Sequence, residues 1–401
     1  TAYALLETRF GLATRRFTSI VFMVTRAVAD SVRIFATAIP IALILEGTFK
    51  PEHARPAAIV VLGLLTIVYT YRGGMKAVVW TELLQASVYI IGGLSAVVLL
   101  GNAVNGGWSH ILDVASAAGK LKSISFYTGL DQPHTIFAGL IGGAFLAMAS
   151  HGADQIIVQR LLTARNLREA QWAIIGSGFV VFAQFSLFLI VGVGLFVLYG
   201  GKTFSAPDAI FPTFILEHMP PGLVGLILAA ILAATMSTHA GAINSLAAAT
   251  THDIYLPLSK RQADDKATLR FGKLSALAWG IVLTGGALLY REQGTPVVVV
   301  ALSIASFTYG ALLGGFFLGI LWRRAMQRDA ILGMTLAIIV MSMIVFAKQL
   351  LPVFPSSMTG MLTQFGKIAW PWYVLIGTSI TMIVGMASSF THGDRARHPD
   401  D

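Results

Sequence analysis

The sequence predicts an all-α polytopic membrane protein of about ten transmembrane helices, and three observations predict it. Hydrophobic residues make up 56% of the chain and charged residues only 12%, which leaves too little polar surface for a soluble domain. The apolar residues fall into runs of membrane length, about 20 residues per crossing. The loops between those runs alternate in charge. Counting from the chain start, one set holds Arg15, Arg16, Arg72, Lys76, Arg160, Arg165, Arg168, Lys266, Arg270, Arg323 and Arg324. The opposite set is sparser, with Lys50, Arg55, Lys120, Lys122, Lys202 and Arg291 among its cations. Positive charge favours the cytoplasmic side, so both ends of the chain are expected there, and an even number of spans agrees. The same alternation assigns the net charge of +9 to membrane topology and not to nucleic-acid binding.

The expected spans are 17–45, 57–71, 77–103, 134–157, 171–199, 221–250, 271–290, 297–321, 330–350 and 371–391. No Pro/Ser-rich linker divides them, so residues 17–391 read as a single transmembrane domain, with 1–16 a cytoplasmic lead-in and 392–401 a cytoplasmic tail. The lead-in is amphiphilic and basic, unlike a signal peptide. Because Thr1 is not an initiator methionine, the chain is expected to be an internal segment of a longer one. Cysteine is absent, so disulfides, thiolate metal sites and cysteine nucleophiles do not arise.

The first span carries Arg26, Asp30 and Arg33 at i, i+4 and i+7, on one helix face. At about 1.5 Å per residue Asp30 falls near its middle, where charge costs at least ~2.5 kcal/mol and must be paired or hydrated. Counted alone, the three carry one net positive charge. Two uses are open: an ion-pair network tying this helix to its neighbours, or a guanidinium left to hold a carboxylate through two parallel hydrogen bonds, with Arg33 the deeper candidate. Glu82, near the inside end of the third span, reads as a cytoplasm-facing helix cap. The loop 104–133 contains an amphipathic stretch, WSHILDVASAAGKL, expected on the membrane surface. The fourth span has Gly139, Gly142 and Gly143 early and Ser150, His151 and Gly152 late. Glycines there permit either close helix packing or a broken helix whose backbone lines a solute site.

The sixth span is the most informative. From Ile227 to Tyr255 it is apolar but carries Ser237 and Thr238 in its middle and Asn244, Ser245 and Thr250 beyond. Such hydroxyls can simply bond the carbonyl one turn back. Alternatively, Ala234, Ser237 and Thr238, at i, i+3 and i+4, bring one carbonyl and two hydroxyl oxygens to one face, and hard oxygens suit a small cation such as sodium. His151 and His239 have no partner at metal-ligand spacing and read as packed neutral histidines. The charged segment 256–270 reads as a solvated connection. No phosphate loop, nucleophile elbow or HExxH pattern is present.

Three phrases together resemble the sodium/solute symporter family, whose members carry proline, pantothenate, sugars, monocarboxylates, sialic acid and iodide. TYRGGMKAVVWTELLQ (70–85) resembles the family's GG-x-x-AV-x-WTD-x-x-Q segment. GADQIIVQRLLTARNLREAQ (152–171) is similar to its DQ-x-x-x-QR-x-L-x-A-x-N segment, and 229–255 is similar to its sodium-site helix. The resemblance covers nearly the whole chain. It implies a LeuT-like inverted-repeat transporter bundle, with sodium, the co-transported ion, on Ala234, Ser237 and Thr238. It also implies that three membrane helices, one bearing the remaining sodium ligands, precede this chain.

Departures from the family pattern narrow the expectation. Sugar carriers have a gating tyrosine where Ser150 stands, a sugar-binding asparagine at Ala147 and a lysine near Val181, so sugar is disfavoured. Members with a second sodium have hydroxyls at Ala240 and Gly241 and an aspartate at Glu82, so one sodium per cycle is expected. The expected function is sodium-coupled symport of a small organic solute, a carboxylate-bearing anion, into the cell. Arg33, Asp30, Ser150 and Ala147 are the substrate-binding candidates. The expected partners are the solute, sodium and the bilayer of the cell membrane, with no nucleic acid and no enzymatic role. The alternative is a transporter-like sensor that binds solute without accumulating it. A membrane enzyme built on His151 and Asp154 lacks a nucleophile, and a channel lacks a filter-like repeat.

Overall fold

The computed structural model describes residues 2–45, 49–72, 75–204, 206–259, 265–291, 296–352 and 355–391, and the side chains of 51, 71–81, 348–349 and 356–358 are not described. The tail 392–401 therefore lies outside the described residues, as do the glycines of the 70–85 motif and Lys260 and Arg261. Among the described residues there is no strand.

A short α1 (Ala4–Phe10) leads into α2 (Leu12–Leu45), α3 (Pro51–Arg72), α4 (Met75–Ala103) and the amphipathic α5 (Gly107–Ala117). A π-helical turn, Ala138–Gly142, then opens α6 (Gly143–Gly152), followed by α7 (Gln155–Leu161), α8 (Leu167–Leu198), α9 (Ile210–His218) and α10 (Pro221–Ala249). A second π turn, Thr250–Tyr255, carries α10 into α11 (Leu256–Ser259). Then come α12 (Lys266–Leu289), α13 (Val297–Leu321), α14 (Gln327–Val345), α15 (Ala347–Leu350), α16 (Ser356–Phe365) and α17 (Tyr373–Ser389).

Among the described residues nine helical stretches are long and apolar enough to cross a membrane. They correspond to nine of the ten expected spans. The remaining one, 134–157, is discontinuous. Its apolar helix runs only over Ala138–Gly152, the chain turns extended at Asp154, and α7 restarts at Gln155. Close packing holds at one of its glycines and not at the others. A Cβ on Gly142 would lie 2.5 Å from the Pro371 carbonyl oxygen, so that position packs tightly, whereas Gly139, Gly143 and Gly152 stand in open space.

Helix α2 is the hub. Phe22, Val32, Phe35 and Ile39 are buried along it, and it packs against α3, α10, α12 and α13. Helices α13, α14 and α17 form a tight sheaf. A Cβ on Gly310 would come within 2.7 Å of the Val374 carbonyl oxygen and 2.8 Å of Gly377 Cα, and one on Gly314 within 2.5 Å of Thr381 Cβ. Small residues thus let these backbones meet, as interhelical packing in lipid favours. The apolar face of α5 is covered by protein: Ile111 and Ala115 are buried, the helix rests on α4 and α8, and the Trp108 indole donates to the Val97 carbonyl at 3.0 Å.

Candidate functional site

Among the described residues, many membrane hydroxyls satisfy themselves locally. Thr18, Thr25, Ser31, Thr66, Thr235 and Thr250 each donate to the carbonyl four residues back, the common arrangement in apolar helices. Ser237 departs from it. Only 3% exposed, it donates instead across the helix interface to Glu82 Oε1 at 3.0 Å. A hydroxyl whose proton is held by a carboxylate keeps its oxygen lone pairs for another ligand. Thr238, the next residue, is half-buried and takes no hydrogen bond among the described residues. Helical spacing places Ala234 on the same face.

Glu82 is not the helix cap expected from the sequence. Helix α4 begins at Met75, so Glu82 lies two turns inside it, reaching toward α10. Its carboxylate also takes a two-pronged contact from Arg160, Nη2 to Oε1 at 2.9 Å and Nη1 to Oε2 at 3.2 Å. Arg160 belongs to α7, the segment after the break. A carboxylate on α4 thereby joins the sodium-candidate helix to the broken helix. Both partner residues were visible in motifs, but their meeting, 78 residues apart in sequence, was not.

A second cluster surrounds α2. Asp30 is 2% exposed and pairs with Arg26, Nε to Oδ2 at 2.6 Å, and with Arg33, Nη1 to Oδ1 at 2.7 Å. Arg26 extends to Asp154 Oδ2 at 3.4 Å. Asp154 also accepts from the Tyr309 hydroxyl on α13 and, through Oδ1, from the Ile156 amide at 2.8 Å, capping α7. The adjacent Ala153 carbonyl accepts from the Tyr3 hydroxyl at 3.1 Å. The net positive charge counted from Arg26, Asp30 and Arg33 is therefore corrected: Asp154 supplies the missing anion, and two arginines face two aspartates. Buried ions in such a setting must be matched, because an unpaired one in hydrocarbon is too costly.

Within that cluster the two arginines differ. Arg26 is enclosed and divided between both carboxylates, whereas the Arg33 side chain is 41% exposed and holds Asp30 through one nitrogen. A guanidinium has five N–H donors, so most of those on Arg33 remain for a ligand. Ser150 and Ala147 lie on the last turns of α6. The Ser150 hydroxyl donates to the Ala147 carbonyl at 3.1 Å and lies 2.9 Å from His151 Nδ1, which is itself 3.0 Å from that carbonyl. These residues thus stabilise the helix end ahead of the break, four residues from Asp154. No hydrogen bond joins Ser150 or Ala147 to Arg33. His151 is hydrogen-bonded, as expected for a packed histidine. His239 is buried, but neither ring nitrogen has a protein partner, and it lies within electrostatic reach of Asp30.

Among the described residues no group of three His, Cys, Asp or Glu side chains is placed to hold a metal ion. The oxygen set of α10 is different in kind: neutral carbonyl and hydroxyl oxygens, suited to a hard monovalent cation and not to a transition metal.

The family model that matches this chain is that of the Sodium:solute symporter family, over residues 1–337. The sodium/sialic acid symporter of Aliivibrio fischeri is 29% identical over 343 residues, covering 84% of this chain and 66% of that protein. The sodium-dependent multivitamin transporter of Oryctolagus cuniculus is 29% identical over 350 residues, covering 84% of this chain and 53% of that protein. Human sodium-coupled monocarboxylate transporter 1 is 24% identical over 445 residues, covering 99% and 72% respectively. The chain spans about two thirds of the first of these relatives and about half of the second. Among solved structures, a Na+-coupled sialic acid symporter in a substrate-bound outward-open state matches with a TM-score of 0.78 at 26% identity, covering 98% of this chain and 77% of that one. The fold is the LeuT-like one expected from the sequence.

Proposed function

Because the chain belongs to the sodium:solute symporter family, we propose that it forms the core of a secondary active symporter of the cell membrane, with both described ends cytoplasmic, in which a sodium gradient drives uptake of a small organic carboxylate. The relatives and the fold are those of sodium-coupled transporters and not of enzymes. Sodium sits against the Ala234 carbonyl and the Ser237 and Thr238 hydroxyls. Ser237, its proton held by Glu82, is the observation that carries this reading. The solute carboxylate is taken by the open side of Arg33, whose charge Asp30 holds in place. Ser150 and Ala147 mark the adjacent helix break as the place where the rest of the solute is accommodated.

Sodium and solute then act on one equilibrium. Sodium favours the state in which the solute site is formed, and by reciprocity bound solute raises sodium affinity. The Glu82 bridge gives that coupling a physical route, since the carboxylate that orients Ser237 also holds Arg160 beyond the break. Uptake into proteoliposomes tests the reading. An imposed sodium gradient, with a potassium gradient as control, is expected to concentrate labelled monocarboxylates or sialic acid but not sugars. Solute binding without sodium-driven accumulation would replace symport with sensing.

A further inference from the structure

His239 on α10 is only 4% exposed, yet neither of its ring nitrogens has a hydrogen-bond partner among the described residues. Helical spacing sets it on the face of Thr235, Ala242 and Leu246, which are buried with it, in the core that the buried face of α2 also enters. At 3.6 residues per turn it lies about 200° round the helix from Ser237, and so turns away from Glu82. The charge that reaches the ring is that of Asp30 on α2. Both Asp30 oxygens are already engaged, Oδ2 by Arg26 and Oδ1 by Arg33. Buried polar groups without partners are rare and unfavourable. A leucine side chain would fill this place without two orphan nitrogens, so packing alone does not account for an imidazole. A neutral imidazole carries one N–H donor, and Asp30 is an acceptor that one departure would open to it. The two arginines on Asp30 differ in this respect: Arg26 is 13% exposed and shared with Asp154, whereas Arg33 is 41% exposed and holds on through one nitrogen. Arg33 is the partner that is able to leave.

We propose that His239 is a positioning residue for the solute, the reserve partner of Asp30; the proposal rests on the reading of Arg33 as the solute's carboxylate site. As the solute carboxylate draws the Arg33 fork off Asp30, the freed Oδ1 accepts the His239 ring N–H. No proton changes owner. One hydrogen bond to Asp30 replaces another, and Arg33 turns to the solute without leaving a buried carboxylate oxygen bare. The exchange also has a charge consequence. With the solute bound, Arg26 and Arg33 face three carboxylates, those of Asp30, Asp154 and the solute, and an excess negative charge in hydrocarbon is costly. His239 directly follows Thr238 in the chain, so the residue that responds to the solute adjoins the hydroxyl proposed to hold the compensating sodium ion.

The test compares the purified full-length protein with His239→Leu, which fills the place with no polar atom, and His239→Gln, which keeps a neutral N–H. In the solute-free protein His239→Leu is expected to leave the thermal midpoint unchanged or raised, because it removes only unpartnered nitrogens. In an Arg33→Ala background, where Asp30 Oδ1 is open to the ring, the same substitution is expected to lower the midpoint. Labelled sialic acid and labelled lactate are the binding probes, at saturating sodium. For whichever the parent binds, His239→Leu is expected to weaken equilibrium binding about tenfold or more, the size of a hydrogen bond to a charged acceptor. His239→Gln is expected to stay within about threefold of the parent, since its amide supplies the donor. The same stability change from His239→Leu in both backgrounds makes the histidine a packing residue and overturns the proposal, as does parent-like solute binding by His239→Leu. Failure of the underlying site reading has a separate sign: Arg33→Ala then leaves solute binding unchanged, and the stability comparison, which needs no solute, still decides whether His239 serves Asp30.

Discussion

The bond between Ser237 and Glu82 yields the sharpest prediction, because its two flanking interactions differ in strength. Ser237 is buried and donates to a carboxylate, and a hydrogen bond to a charged group contributes about 1.5–3 kcal/mol. The Arg160–Glu82 pair is shorter but wetter, with side chains 48% and 31% exposed, and such pairs contribute at most about 1 kcal/mol. Ser237→Ala is therefore expected to cost more stability than Arg160→Gln, reversing the order that contact distances alone suggest. Glu82→Gln keeps an acceptor but removes its charge, leaving a neutral bond of about 0.5–1.5 kcal/mol. The double-mutant cycle of Ser237→Ala with Glu82→Gln should then return a coupling of about 1 kcal/mol, measured by denaturant unfolding in mixed micelles. In transport, Ser237→Ala is expected to raise the sodium half-saturation of uptake at least about tenfold, equivalent to about 1.4 kcal/mol of lost binding. Glu82→Gln is expected to raise it less, because the hydroxyl remains. Additivity of the two substitutions within about 0.5 kcal/mol would refute the reasoning, as would a costlier Arg160→Gln.

Three further variants probe the site. Ser237→Ala combined with Thr238→Ala is expected to abolish sodium stimulation of uptake while the protein still inserts in the membrane, and unchanged sodium dependence removes the α10 assignment. Arg33→Lys keeps the charge beside Asp30 but not the planar fork, so KM for a carboxylate solute is expected to rise about tenfold or more with little change in thermal stability; a lowered Tm with unchanged KM would make Arg33 purely structural. Asp154→Ala removes the second carboxylate of Arg26 and the α7 cap, and one-sided loss from a buried ion pair costs about 3–5 kcal/mol, so the variant is expected to unfold at markedly lower denaturant than Asp131→Ala, an exposed loop control.

The parts of this molecule that could be read in advance share a physical origin. Span positions follow from hydrocarbon thickness and composition, which is why Val297–Leu321 coincides with its expected span and why neighbouring helices differ by only a few residues. The i, i+4, i+7 spacing of Arg26, Asp30 and Arg33 placed three ions on one face because helix geometry is local. Asp154 escaped for the opposite reason. Its partners, Arg26 and Tyr309, are 128 and 155 residues away, and a motif says that an aspartate is present without saying what it meets. Glu82 was misread from its nearness to the span end: it lies two turns inside the helix that starts at Met75, and its partners Ser237 and Arg160 are distant in sequence. The short α9 and α16 went unmarked because each is less than a membrane length and its apolar positions did not stand out between longer runs.

The glycine contacts of α13 and α17 also divide the labour of moving. Where Gly310 and Gly377 meet backbone to backbone, any sliding drives main chain into main chain, so this seam behaves as one rigid chassis. The first half of the broken helix packs on that chassis through Ala149, Leu313 and Val374, whereas Asp154, at the break, meets it through the Tyr309 hydroxyl, and Tyr309 is the residue directly before Gly310. A hydrogen bond can be exchanged for water or another partner, whereas interlocked backbones cannot. An interlocked seam and an exchangeable hydrogen bond thus occupy consecutive positions, so a rearrangement at the break has to exchange the Tyr309 bond before it can disturb the seam.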